Sequence, residues 1–328
     1  MSFPLRKTAL RRCALAALSL CAAGALQAQT AAPWPTKTIR IVVGFAPGGS
    51  TDVMARILAQ SIGESLGQAV IIENKPGASG NIAAAEVVRA APDGHAFLIA
   101  PTSVETANPS LFKSSMLPSR DLTPVGGVGR TQMYLVAKPQ MDVKDARGLV
   151  ALAKAQPGKL SYATPNSTSL VASETIKRIA GLDVLSVPYK SSPQALTDLI
   201  GGTVKMYVVD VGSGMGMINA GSVRVLGVTT KDPLKSMPNV VPIVKEVPGF
   251  DLTSWNGIFG PAGMPKPIVD KINAELQEAL ADKEVQKSLA QLGFETWPTK
   301  TPEEFAKYVA DQLAHWSTLV KQAGIRAQ

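Results

Sequence analysis

Three stretches of this 328-residue chain combine small residues, hydroxyls and helix-starting side chains in patterns that can hold a small charged group. The first is Phe45-Ala46-Pro47-Gly48-Gly49-Ser50-Thr51-Asp52, placed just after the strand-like Ile39-Arg40-Ile41-Val42-Val43. Pro47-Gly48-Gly49 cannot prolong a strand and permits a tight turn. Ser50, Thr51 or Asp52 can cap the helix that follows. A strand, a glycine turn and a helix start aim free backbone N–H groups and the positive end of a helix at one point, which favours an anion. The stretch lacks the Lys of a phosphate-cradling G-x-x-x-x-G-K-[ST] motif, and its small side chains leave room for a carboxylate. The same residues suit a plain βα turn, and by themselves they leave both readings open. The second stretch, residues 101–107, brings Thr102 and Ser103; the third, residues 164–169, brings Thr164, Asn166, Ser167 and Thr168. Both follow strand-like runs, so all three would face one cleft at the carboxyl ends of strands.

A catalytic set is harder to assemble. Of the two histidines, His95 sits in Pro-Asp-Gly-His before a strand and His315 beside Trp316 in a late helix, and neither has a partner at metal-ligand spacing. Ser79 and Ser213 lie beside glycines without forming G-x-S-x-G, and a serine nucleophile without a placed His base is hard to activate. Gly212-Ser213-Gly214-Met215-Gly216 is a dinucleotide-fingerprint lookalike whose third glycine comes one residue early. Asp52 and Arg56, four residues apart on one helix, suit a local ion pair. Asp210 ends an apolar strand, where it either meets a ligand ammonium or caps the turn at Gly212. Lys190 is either a cation at the cleft rim or an idle surface lysine. No catalysis, cofactor or metal is expected.

The first residues are a leader. Arg6, Lys7, Arg11 and Arg12 precede an apolar, Ala-rich run over residues 13–26, too short to span a bilayer. This is a secretory signal, removed after Ala28 (Ala25 is the alternative); Leu18-Ser19-Leu20-Cys21 is a faint lipoprotein match. Its removal takes Cys13 and Cys21, the chain's two cysteines, and leaves no thiol. Four of the 33 Lys and Arg leave too, so 29 remain against 25 acids. The charges are interleaved, which speaks against nucleic acid. A secreted chain of this length without disulfides fits the bacterial periplasm.

The elements that must position these residues alternate. Strands are expected over residues 38–43, 69–73 and 96–100, with helices over 52–66 and 81–90 between them. This βαβαβ run predicts a mostly parallel sheet with helices on both faces. Residues 101–109 read as a polar loop. Residues 123–138 form a long extended segment, taken as a crossover into a second domain. There, strands at 160–163, 184–187, 204–209 and 223–228 alternate with helices at 142–155, from the loop at 164–169 on to 180, and at 193–200. Residues 252–261 read as a crossover back, and 267–292 and 302–322 as amphipathic helices. Trp255 and Trp297 are expected to pack within a lobe or at the hinge rather than to serve as stacking platforms.

Several segments together resemble the Bug (TctC-like) family, the periplasmic solute receptors of tripartite tricarboxylate transporters. They are Phe45 to Asp52 with Ala55-Arg56, Glu73-Asn74-Lys75-Pro76-Gly77-Ala78-Ser79-Gly80, Ala91-Pro92-Asp93-Gly94, Ala107-Asn108-Pro109 and Asp121-Leu122-Thr123-Pro124-Val125. Gln156-Pro157-Gly158-Lys159-Leu160, Val187-Pro188-Tyr189-Lys190, Gly260-Pro261-Ala262-Gly263 and Thr301-Pro302-Glu303-Glu304-Phe305 complete them. The resemblance implies a two-lobed, type 2 periplasmic-binding-protein (Venus-flytrap) α/β fold with two hinge crossovers. The lobes would be residues 29–129 with 254–328, and residues 130–253, after a signal peptide at 1–28. It implies a monomer that binds a small organic acid and delivers it to membrane subunits of the transporter. First-lobe loops would hold the carboxylate, partly through ordered waters, and the loop at 164–169 would set selectivity. The chain departs from the pattern there: a common form of that loop is glycine-rich with a histidine, and this one has neither. His95 stands where Tyr usually follows Pro-Asp-Gly. Phe45, Pro47, Gly48, Gly49, Ser50, Thr51, Asp52, Thr102 and Ser103 are thus candidates for the carboxylate. Thr164, Asn166, Ser167, Thr168 and Asp210 are candidates for the rest of the ligand. A sensor partner of a membrane kinase, or a periplasmic hydrolase using Ser50 or Ser79, are the competing readings.

Overall fold

Strand-forming runs of β-branched residues alternate with capped helices as expected, but they build two sheets of mixed direction. The computed structural model describes residues 34–113, 117–234, 237–250, 252–297 and 300–327. The leader expected at residues 1–28, with Cys13 and Cys21, lies outside the described residues. The strands are β1 (Ile39–Val43), β2 (Val70–Asn74), β3 (Ala96–Pro101), β4 (Leu122–Thr131), β5 (Met133–Ala137), β6 (Ser161–Thr164), β7 (Leu185–Pro188), β8 (Met206–Asp210), β9 (Arg224–Val228), β10 (Ser254–Pro261) and β11 (Phe294–Thr296). The longer helices are α1 (Ser50–Leu66), α2 (Asn81–Val88), α3 (Ala146–Ala155), α4 (Ser167–Ala180), α5 (Ser192–Gly201), α6 (Val211–Asn219), α7 (Lys266–Ala281), α8 (Lys283–Gln291) and α9 (Pro302–Gln322).

One sheet has the order β11-β4-β10-β3-β1-β2 and the other β7-β6-β8-β5-β9. In the first, β1 pairs parallel with β2 and β3, while β10 and β4 run antiparallel. The mostly parallel sheet predicted from the βαβαβ run therefore holds only for its first three strands. The returning β10 inserts against β3 in the opposite sense, a pairing that local pattern cannot reveal. β1 is covered on both faces, with Ile39, Ile41, Val42 and Val43 no more than 3% exposed. Each such side chain contributes about 1.5–3 kcal/mol by burial.

The extended segment predicted over residues 123–138 is two strands in different sheets. β4 leaves the first sheet at Thr131 and β5 joins the second at Met133, with Gln132 between them. The return crossing enters the first sheet at Ser254, directly opposite Thr131. Met133 N–H donates to Thr229 Oγ1 at 3.0 Å, tying the first crossing to the end of β9. The helix predicted over 267–292 is two helices. Asp282 ends α7 and caps α8, its carboxylate accepting from Glu284 N and Val285 N at 2.8 and 2.9 Å.

The polar loop predicted over residues 101–109 is instead a buried helical segment. Ser103–Ala107 forms a π-helical turn that runs into the short helix Asn108–Leu111, and residues 102–108 are all 1% exposed or less. Several of its polar groups find partners inside the protein. Thr106 Oγ1 donates to Thr102 O at 2.7 Å, and Thr102 Oγ1 accepts from Trp255 N at 2.7 Å. Trp255, Trp297, Phe305 and Tyr308 pack edge to face around it, with centroids 4.2–5.9 Å apart.

Candidate functional site

The parallel strands of both sheets end at one cleft. β1 delivers Phe45, Ala46, Gly49, Ser50 and Thr51 to its lining, and β3 delivers Pro101 and Ser103. From the second sheet, β6 delivers Asn166 and Thr168, β7 delivers Ser191, Ser192 and Pro193, and β8 delivers Asp210 and Ser213. Thr131, Met133, Ser254 and Asn256 line it from the crossings. The space is about 540 Å³, including its open mouth.

Four helix N-termini meet here, and they are not equivalent. At α4, Asn166 Oδ1 accepts from Ser169 N at 2.9 Å. At α5, Ser191 Oγ accepts from Gln194 N at 3.4 Å, and at α6, Asp210 Oδ1 accepts from Ser213 N at 2.8 Å. Only α1 begins without a side-chain cap, on Gly49. Of the amides there, Gly49 N donates to Ala46 O at 3.4 Å and Ser50 N to Ser213 Oγ at 3.3 Å, which leaves those of Thr51 and Asp52 as the orphan donors that an anion can satisfy. Beside it, the Ser103 hydroxyl is buried and has no hydrogen-bond partner among the described residues. Thr51 Oγ1 donates to Asn256 Oδ1 at 3.3 Å, which fixes both side chains at the cleft wall. The lining contains no Lys or Arg, and Asp210 is its one formally charged residue. An acid bound here would be compensated by amides, hydroxyls and helix dipole rather than by a cation.

The other sequence candidates lie around this lining. Asp52 points away from it and holds the loop. Its carboxylate accepts from Gly48 N at 3.0 Å, from Arg56 Nη2 at 2.9 Å and from Asn74 Nδ2 at 2.9 Å. Burial pushes its carboxyl up, but the bonds from Arg56, Gly48 and Asn74 outweigh this and hold it below the ordinary value. Pro47 and Gly48 shape the turn, Gly48 with φ 82°. Thr102 bonds the backbone of Trp255. The Thr164 hydroxyl donates to Val187 O at 3.2 Å, and the Ser167 hydroxyl to Asn108 Oδ1 at 2.5 Å. Lys190 is exposed and outside the lining, His315 is exposed on α9, and His95 Nδ1 lies 3.2 Å from Asp93 Oδ1. The glycine loop at residues 74–80 buttresses the first loop. A Cβ on Gly44 would sit 2.6 Å from Gly80 Cα, so the two backbones approach closely because residue 44 is glycine. Asn74 Nδ2 also donates to Phe45 O at 3.0 Å.

Sequence reasoning passed over Ser191, Ser192, Pro193, Thr131, Met133, Ser254 and Asn256. A signal existed for the first three: a serine followed by proline at the first turn is a helix-start signature. The others lie in the crossings, where only the pairing of Thr131 with Ser254 brings them to the cleft.

Known proteins of this shape and sequence give the arrangement its context. A sequence model described as the tripartite tricarboxylate transporter family receptor matches residues 54–325. BugT of Bordetella pertussis is 31% identical over 326 residues, spanning 96% of this chain and 98% of BugT. The Rhodopseudomonas palustris protein Rpa4515, solved with adipate, is 30% identical with a TM-score of 0.86 over 90% of this chain and 100% of its own. MatC from Rhodopseudomonas palustris, solved with bound malate, is 30% identical with a TM-score of 0.83 over 88% of this chain and 100% of its own. By sequence over nearly its whole length and by the same two-sheet architecture, the chain belongs to the tripartite tricarboxylate transporter receptor family, the Bug-type periplasmic binding proteins.

Proposed function

We propose that this chain is a periplasmic receptor that closes on a small organic carboxylate and hands it to the membrane subunits of a tripartite transporter, with no chemistry of its own. The observation that carries the reading is the uncapped start of α1, set beside the partnerless Ser103 hydroxyl in a cleft lined without cations. The first turn of α1 offers the Thr51 and Asp52 amides, with the Ser50 hydroxyl, to one carboxylate. Asn166, Thr168, Ser191 and Ser192 offer neutral donors to the far end of the ligand. Asp210 repels a carboxylate placed against it and accepts from a hydroxyl or ammonium. Family members with bound adipate and malate support the acid class. In this reading residues 1–28 are removed on export. The monomer's lobes are residues 29–129 with 254–328, and 130–253, and they hinge at the two crossings.

Calorimetry against di- and tricarboxylates, aromatic acids and amino acids tests it. Saturable binding of at least one acid is expected, weakened roughly tenfold by Ser103→Ala, the size of one lost hydrogen bond. No binding anywhere in the panel overturns the reading.

A further inference from the structure

The glycine-rich run after β8 is not a dinucleotide fingerprint, yet it makes close contact across the cleft. Asp210 Oδ1 accepts from Ser213 N at 2.8 Å and so fixes the first turn of α6. That turn aims Ser213 Oγ at the start of α1, where it accepts from Ser50 N at 3.3 Å. Gly212 stands between them. Its φ is not in the left-handed region, so it is glycine for space rather than for conformation. A Cβ there would lie 2.7 Å from Ser50 Cβ, 3.2 Å from Leu292 O and 3.2 Å from Phe294 Cε2. All three belong to the half built on the first sheet. The next contact repeats the logic: a Cβ on Gly293 would meet Val211 Cγ1 at 1.9 Å. The first turn of α6 therefore sits in a notch formed by the start of α1 and the turn before β11. On the opposite rim, Ser167 Oγ donates to Asn108 Oδ1 and ties α4 to the segment after β3.

We propose that Val211-Gly212-Ser213 is a latch that holds the two walls of the cleft together through protein groups alone, so that affinity depends on Val211 and Gly212, which stand outside the lining, as well as on Ser213 within it. The inference rests on the receptor reading for its role in binding, but the contact itself can be tested without ligand. Gly212 does not line the cleft, which makes it the informative position. Any side chain there must displace the backbone and side chains of the facing wall, and the closed arrangement bears the whole cost. Ser213 is a positioning residue: it satisfies an α1 amide that the open arrangement leaves to water.

The experiment uses the mature chain, which by sequence has no cysteine after Cys21. Gln60→Cys and Asn219→Cys, both at exposed positions, carry a fluorophore pair across the cleft. Without ligand, Gly212→Val is expected to shift the transfer-efficiency distribution towards the longer distance. An unchanged distribution overturns the latch. With adipate, malate and the tightest acid of the panel, Gly212→Ala is expected to raise Kd roughly tenfold through a faster koff, leaving kon and the ranking of ligands unchanged. Ser213→Ala, which adds no bulk, is expected to show a loss of a few fold in the same direction. Unfolding midpoints without ligand check that both variants fold. Wild-type affinity in Gly212→Ala, or a changed ligand ranking, overturns the latch and leaves the receptor reading standing. Absence of binding by the wild-type chain overturns the receptor reading, and the ligand-free arm still decides the latch.

Discussion

At the scale of single residues, two acids are held in opposite states, and their pH signatures differ in sign. Asp52 is stabilised as a carboxylate by Arg56, Gly48 and Asn74. Its folded-state pKa lies below the ordinary 3.8. The contribution is complete above that value and is lost as pH falls through the folded one. Asp52→Asn is expected to cost about 1–3 kcal/mol at neutral pH, with the difference closing below about pH 4. Urea unfolding at pH 3 and pH 7 measures it. Glu105 is the reverse case. It is wholly buried in the π-helical turn, no described group bonds its carboxyl oxygens, and burial pushes its pKa from 4.5 up to about 8. A raised acid contributes fully below its unfolded pKa, and that contribution is lost as pH rises from 4.5 towards 8. Glu105→Gln is expected to be more stable than the wild type above pH 8, by an amount on the order of 4 kcal/mol, and nearly equal to it at pH 4. Parallel denaturation curves across that range decide the point, and a constant difference between the two proteins would refute it.

At the scale of elements, what could be read from the sequence is what is decided locally. The strand, turn and helix around Gly48-Gly49 are specified by β-branched residues and glycines within about 20 positions, but the cap expected from Ser50, Thr51 or Asp52 is not made: the helix starts on Gly49 without a side-chain bond. The start of α4 is equally local, because Asn166 caps its own helix. The segment after β3 was misread because its burial is decided far away. Trp255 N, Asn81 Oδ1 and Ser79 O are the partners that let Thr102 and Asn108 leave water. Polarity suggested a loop, and long-range hydrogen bonds made it interior. The break between α7 and α8 was visible in principle, since Asp282 stands as a helix-capping residue inside the apparent run. Asp282→Ala removes the acceptor for two amides and is expected to cost about 1 kcal/mol, read as a shifted urea midpoint with unchanged slope.

At the scale of the molecule, α9 decides whether the two sheets behave as separate bodies. Its first half belongs to the core of the first sheet, where Phe305 and Val309 pack with Val42, Leu98, Trp255 and Phe259. Its second half belongs to the other core, where Trp316 and Val320 join Leu135, Tyr162 and Val208. The helix changes core beside the crossings: Tyr308, Gln312 and His315 line a shallow cavity with Arg130 and Thr253, the residues just before Thr131 and Ser254. Arg130 also lies over the Trp297 and Tyr308 rings, at 4.8 and 5.1 Å from their centroids. In the proposed hinge motion about the crossings, α9 would lie near the axis, where displacement is smallest, and would couple the two cores without resisting closure. Residues 37–328 form one compact unit in keeping with this. Phe305→Ala and Trp316→Ala each empty a large buried site and should cost about 3–5 kcal/mol. Because the helix is shared, each variant should lower a single unfolding transition for the whole chain, seen at the same temperature by tryptophan fluorescence and by far-ultraviolet circular dichroism. Two transitions in Trp316→Ala, with only the second half melting early, would mean that the cores are independent and that α9 merely lies across them.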